Sequence, residues 1–163
     1  MEKLSDSFTE IKTENENIRP LSEKTLTERT EYILKGDYSD SMFDYAKQFA
    51  SADTIVIAAP YWDLSFPASL KTYIENIFVT GLTFRYTEEG IPQGLCRAKK
   101  LYYVTTAGGP YIQDFSFDYI RAAAGMLGIK ETVLIKADML DITGNNAEKI
   151  LSDSMERIKN MNV

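Results

Sequence analysis

The chain contains no histidine and a single cysteine, Cys96. Histidine is the commonest general base near neutral pH and the commonest metal ligand, so its absence excludes Ser-His and Cys-His nucleophilic machinery and His-bearing zinc sites. A lone cysteine cannot form an internal disulfide, which points to a reducing, cytoplasmic compartment and leaves Cys96 a packing role. Blocks of Lys and Arg are missing as well, and the net charge is -6. A surface for nucleic acid or anionic membrane, whose binding depends on neutralising phosphates, is therefore excluded. No apolar run approaches the roughly 20 residues of a membrane span, and the polar start MEKLSDSFTEIK does not fit a signal peptide.

What is present suits one domain. The 163 residues, 44% of them hydrophobic, are enough to bury a single core without staples. Residues 1–38 are charged and weakly patterned, with FTEIK (8–12) as a candidate edge strand. LTERTEYIL (26–34) reads as a helix that places Leu26, Arg29, Thr30 and Ile33 on one face. From Ser39 the pattern sharpens. Met42, Ala46, Phe49 and Ala50 mark a helix behind a Ser/Asp cap, and TIVIAA (54–59) is a continuous apolar run. Such a run predicts a strand buried on both faces, as in parallel sheets covered by helices. Ser65 is placed to cap the next helix, Pro67 fits its first turn, and the stripe Leu70, Tyr73, Ile74, Ile77 and Phe78 carries it to Gly81.

The segment 82–96 reads as an irregular excursion turning near Glu89-Gly90. KLYYVTT (100–106) is a second buried strand and TVLIKA (132–137) a third. FDYIRAAAGMLG (117–128) is a helix stopped by Gly128. The closing helix, 146–159, has Asn145 and Glu148 in a capping-box arrangement. This alternation predicts an α/β fold: a parallel sheet flanked by helices. Open sheets of this kind bind ligands beyond the carboxyl ends of their strands. Two loops occupy that position, PYWDLS (60–65) and TAGGPY (106–111).

Gly108-Gly109 leaves a loop without side chains, so backbone N–H groups can approach a ligand closely. Two glycines alone more often mark an ordinary turn. Tyr61 and Trp62 are equally at home as cover for the strand ends, and Asp63 as a helix cap. The conjunction of both loops at adjacent strand ends is what favours a slot for a flat heterocycle, walled by aromatics and read by backbone amides.

At this point IVIAAPYWDLSFPASLKTYIENIFVTGLTFRYTEEG, followed by GLCRAKKLYYVTTAGGPY, resembles the flavodoxin-like NAD(P)H:quinone oxidoreductase and FMN-dependent azoreductase family. The likeness covers about residues 39–160. It implies a homodimeric flavoenzyme that uses FMN and NAD(P)H to pass two electrons to a quinone or azo acceptor, with no obligatory protein acid or base. By the same resemblance Pro60, Tyr61, Trp62, Asp63 and Leu64 lie along the isoalloxazine ring. Thr106, Ala107, Gly108 and Gly109 embrace its pyrimidine edge, Tyr111 lines the substrate pocket, and 82–96 meets the partner subunit.

Family members open with an apolar strand and a Ser-rich turn that holds the FMN phosphate on a helix N-terminus. MEKLSDSFTEIK resembles neither, so an N-terminal βα unit is expected to be missing, which would leave an unpaired strand edge. Three explanations stand: a shortened or misplaced start, another chain or strand filling the gap, or a reduced paralogue. The last gives the alternative function, a non-catalytic flavodoxin-like dimer that no longer binds flavin and serves as a binding module.

Overall fold

Three of the apolar runs form one parallel sheet in the computed structural model, which describes residues 8–161. In chain order the elements are α1 (Glu23–Lys35), a short 3-10 turn (Ser41–Phe43), α2 (Asp44–Ser51), β1 (Thr54–Pro60) and α3 (Ala68–Ile77). The small strands β2 (Phe84–Tyr86) and β3 (Pro92–Gly94) follow, then β4 (Lys100–Thr106), α4 (Phe115–Met126), β5 (Glu131–Ala137) and α5 (Ala147–Asn160). The sheet order is β1-β4-β5, and β2-β3 is a separate antiparallel hairpin. Register runs from Thr54↔Lys100 to Pro60↔Thr106 and from Lys100↔Glu131 to Thr106↔Ala137, so all three strands end level.

One face of the sheet builds the core. Ile55 and Leu101 meet Phe49 of α2, Leu70, Ile74 and Ile77 of α3, Ile120 of α4 and Leu127 just beyond its end. Ile77 is 1% exposed, and burying such a side chain contributes about 1.5–3 kcal/mol. Cys96 belongs to this cluster, and burial pushes its thiol up to about 11, as befits inert packing.

Several expectations are corrected. β1 is not buried on both faces: Ile55 faces the core, but Val56 is 42% exposed and Ala58 is exposed. Its apolar run is an edge strand, with no neighbour on its outer side among the described residues. Residues 8–12 form no strand. The segment instead lies along the helices, where Ile11 and Ile18 pack on the core, Glu16 accepts from the Tyr45 hydroxyl, and Thr13 bonds Ser69.

Helix α3 begins at Ala68 with Pro67 in the cap position. Ser65 does not cap it, because that residue closes a turn with Trp62. The helix also stops at Ile77 rather than Gly81. The Thr83 hydroxyl reaches back to the Ile77 carbonyl at 2.8 Å, and Arg29 takes the carbonyls of Glu75 and Phe78, so the last turn is satisfied without continuing. α4 starts two residues earlier than predicted, capped by Asp114. α5 is capped by Asn146, not Asn145, whose amide instead donates to the Met139 carbonyl. The turn at Gly90 holds, with φ of 77°.

Candidate functional site

The loops after β1 and β4 lie side by side because their strands are paired to the last residue. Beyond Pro60↔Thr106, the Tyr61 N–H donates to the Thr106 carbonyl at 2.8 Å. The chain then makes a tight reversal: Trp62 and Ser65 exchange both backbone hydrogen bonds, at 3.0 and 2.8 Å. The two central residues, Asp63 and Leu64, have φ of 49° and 67°. This is the hairpin turn that normally takes Asn-Gly or Asp-Gly, and here a leucine occupies the glycine place. Left-handed backbone at a non-glycine residue costs about 1–3 kcal/mol and concentrates at functional sites.

The turn uses the amides of Trp62 and Ser65 and leaves those of Asp63 and Leu64 without a partner among the described residues. The second loop divides in the same way. Ala107 donates to Ala137, while the carbonyls of Ala107, Gly108 and Gly109 accept from Leu140, Asp141 and Met139. Among the described residues the amides of Gly108 and Gly109 have no acceptor. The loop thus turns its carbonyls toward the segment after β5 and keeps two N–H groups free.

The two glycines differ in role. A Cβ on Gly108 would overlap the Asp141 carboxylate, so any side chain there must displace Asp141 whether or not a ligand is present. A Cβ on Gly109 would meet nothing within 4 Å, so of the two glycines only this one borders open space. Trp62 is 60% exposed. Tyr61 folds over the second loop: its hydroxyl donates to the Gln113 carbonyl at 2.8 Å and its ring lies 4.4 Å from that of Tyr111, centroid to centroid. Thr106 is exposed and Ala107 buried.

Tyr111 is tied down beneath this wall. Its hydroxyl donates to Asp114 Oδ1 at 2.6 Å and lies 2.8 Å from Ser116 Oγ, and its N–H donates to Asp138 at 3.2 Å. Burial, followed by the hydrogen bond to Asp114, pushes the phenol well above its ordinary range. The Lys136 ammonium lies 4.8 Å from the ring centroid and 3.2 Å from Asp138. Burial alone would raise the Asp138 carboxyl, but Lys136 and the Tyr111 N–H outweigh it and hold the group below the usual range.

The sequence-predicted residues of both loops are brought together, but only four of them present free amides. Pro60 has none, those of Tyr61, Trp62 and Ala107 are spent within the fold, and Thr106 lies inside β4 between two paired strands. Missed altogether were Asp114, Ser116 and the third strand-end segment with Asp138, Met139 and Asp141. The rule that located the first two loops, that ligands gather at carboxyl ends of strands, would have found the third. An open cleft of about 420 Å³ lies elsewhere, between α1, the end of α3 and Tyr119. It is lined by Leu26, Ile33 and Phe78, and its one guanidinium, Arg29, is committed to the α3 carbonyls. No group of three or more metal-ligating side chains occurs among the described residues, and none of their helices is long and apolar enough to cross a membrane.

A family model described as the flavodoxin-like fold matches residues 2–161. The chain belongs to the flavodoxin-like family. Within the family, an FMN-dependent NADH:quinone oxidoreductase 2 of Clostridium acetobutylicum is 40% identical over 178 aligned positions, spanning 96% of this chain and 87% of the relative. An FMN-dependent NADH:quinone oxidoreductase of Clostridium perfringens is 36% identical, spanning 95% of this chain and 86% of its own. Among solved structures, an azoreductase from Bacillus anthracis superposes with a TM-score of 0.78 at 26% identity, covering 91% of this flavodoxin-like chain and 77% of that one. The fold is shared as well with an FMN-dependent NADH-azoreductase from the same species, solved in complex with FMN, at a TM-score of 0.74 and 22% identity over 91% of this chain and 76% of that one.

Proposed function

We propose that the slot beyond β1 and β4 binds FMN and that the chain passes two electrons from NAD(P)H to a quinone or azo-type acceptor. The observation that carries this reading is the set of four backbone amides, those of Asp63, Leu64, Gly108 and Gly109, without acceptors among the described residues on two loops fixed side by side. A row of N–H dipoles suits the acceptor-rich edge of a flavin ring and stabilises negative charge there. The names of the 40% and 36% identical relatives point the same way.

The residues present fit the ring. Gly109 leaves room for a planar group to reach the backbone, Trp62 offers an exposed indole, and the tilted, closely packed rings of Tyr61 and Tyr111 make a wall. Pro60 and Ala107 shape the loops, and the Thr106 carbonyl locks one to the other through Tyr61. Bound FMN would supply the two-electron chemistry. Tyr111 borders the acceptor. Its phenol, donating to Asp114, stays neutral and serves as a surface rather than a base.

The working form in this reading is a cytoplasmic homodimer. The β2-β3 hairpin, which exposes Tyr86 (54%) and Ile91 (60%), provides the contact. The test is to titrate the purified protein with FMN, following flavin fluorescence, and then to supply NADH and 1,4-benzoquinone. Saturable quenching and quinone-dependent loss of NADH are expected. A protein that leaves FMN fluorescence unchanged sinks the assignment.

A further inference from the structure

Tyr111 is held by its hydroxyl, its backbone and its ring, yet one of its partners has a second task. Asp114 Oδ1 accepts the Tyr111 phenol at 2.6 Å and also accepts the Phe117 N–H at 3.2 Å, which caps α4. A cap alone does not require a carboxylate, because Ser, Asn and Asp serve almost equally well. The phenol gives the carboxylate a reason. An O–H donor at this separation to a carboxylate is a charge-assisted bond, roughly twice as strong as a neutral one. The α4 start is itself fixed to the sheet: the Phe117 ring lies nearly parallel to that of Tyr103 of β4, with 6.3 Å between centroids and 16° between planes, and Ser116 is fully buried.

We propose that Asp114 is a positioning residue for the acceptor side of the slot: one carboxylate oxygen joins the Tyr111 phenol to the first turn of α4 and thereby fixes where the Tyr111 ring stands against a bound acceptor. The inference rests on the reading of the slot as the reaction site. Asp114 touches neither ring nor acceptor and acts only through Tyr111. Losing a hydrogen bond to a charged group costs at least about tenfold in the population of the held ring. The Tyr61 ring and Ser116 retain the phenol loosely when Asp114 is shortened, so the fold survives while the wall wanders.

Two substitutions separate the cap from the clasp. Asp114→Ser keeps a capping oxygen but is too short to reach the phenol, and Asp114→Asn keeps both reach and cap with a neutral acceptor. In the Ser variant the KM for 1,4-benzoquinone should rise about tenfold, with kcat and FMN affinity within about twofold of the parent and an unfolding temperature lowered by only about 3–6 °C. The Asn variant should recover most of the KM. In the ligand-free protein, an alkaline absorbance titration should show one tyrosine ionising at lower pH in the Ser variant than in the parent, a difference that disappears in a Tyr111→Phe background. An unchanged KM in the Ser variant, an Asn variant as impaired as Ser, or identical tyrosine titrations would each overturn the role of Asp114. A parent that binds no FMN overturns the slot reading and this proposal with it. A parent that binds and turns over while the Ser variant matches it removes Asp114 alone.

Discussion

Gly109→Val is the perturbation that addresses the slot with least disturbance of the protein. The new Cβ meets no atom within 4 Å and the backbone is outside the left-handed region, so no strain arises. Fewer unfolded conformations should even stabilise the chain by about 0.4–1 kcal/mol. For a ring seated against the loop, the cost has two parts. Its hydrogen bond to the Gly109 amide is lost, about 1 kcal/mol, and the isopropyl group overpacks the interface by about 1–3 kcal/mol. Together these give about 2–4 kcal/mol, or roughly a 30- to 700-fold rise in the FMN dissociation constant. Gly108 makes the necessary contrast. Gly108→Ala drives its methyl into the Asp141 carboxylate whether or not a ligand is present, at about 0.5–1.5 kcal/mol for the displaced side chain. Adding Asp141→Ala should restore that stability. The assay is FMN fluorescence titration paired with thermal unfolding for each variant. A Gly109→Val protein with parental stability and parental FMN affinity would refute the placement of the ring.

Leu64→Gly removes left-handed strain of about 1–2 kcal/mol against a glycine entropy cost of about 0.4–1 kcal/mol. The melting temperature should therefore rise by about 2–3 °C, whereas Leu64→Ile should lower it; a fall with glycine would contradict the turn geometry. Gly94→Ala pushes a Cβ into the backbone of Leu127 and Gly128, where β3 crosses the end of α4. Such overpacking, about 3 kcal/mol, should lower the melting temperature by about 6–12 °C. Gly125→Ala, exposed in α4 with open space around it, should instead stabilise by about 0.5–1 kcal/mol, and scanning calorimetry of the pair checks both signs.

How much of this was legible in the sequence depended on how local each feature is. β4 was bounded to the residue, because its apolar run is buried on both faces and ends where the glycine loop begins. β1 was found by the same pattern, yet its coverage was misread: periodicity reports that a strand is apolar, not what lies beside it. The α3 stripe was right and its ends wrong, because the Thr83 hydroxyl and Arg29, distant in sequence, close its last turn. Asn145 and Asn146 are equivalent as caps in isolation, and the Met139 carbonyl decides between them by engaging Asn145. In the site, the two loops followed from strand ends, but the division of labour between the glycines did not. Asp141 lies more than thirty residues downstream in a polar stretch that reads as ordinary loop, and only the fold brings it onto Gly108.

The most direct measurement is a two-dimensional amide NMR spectrum of the isotope-labelled protein, recorded before and after addition of FMN. The N–H signals of Asp63, Leu64, Gly108 and Gly109 should show the largest shifts, with those of Tyr61, Trp62 and Ala107, already hydrogen-bonded within the fold, moving less. Shifts centred instead on Leu26, Arg29 and Ile33 around the α1 cleft, or a spectrum that does not change, would contradict the account.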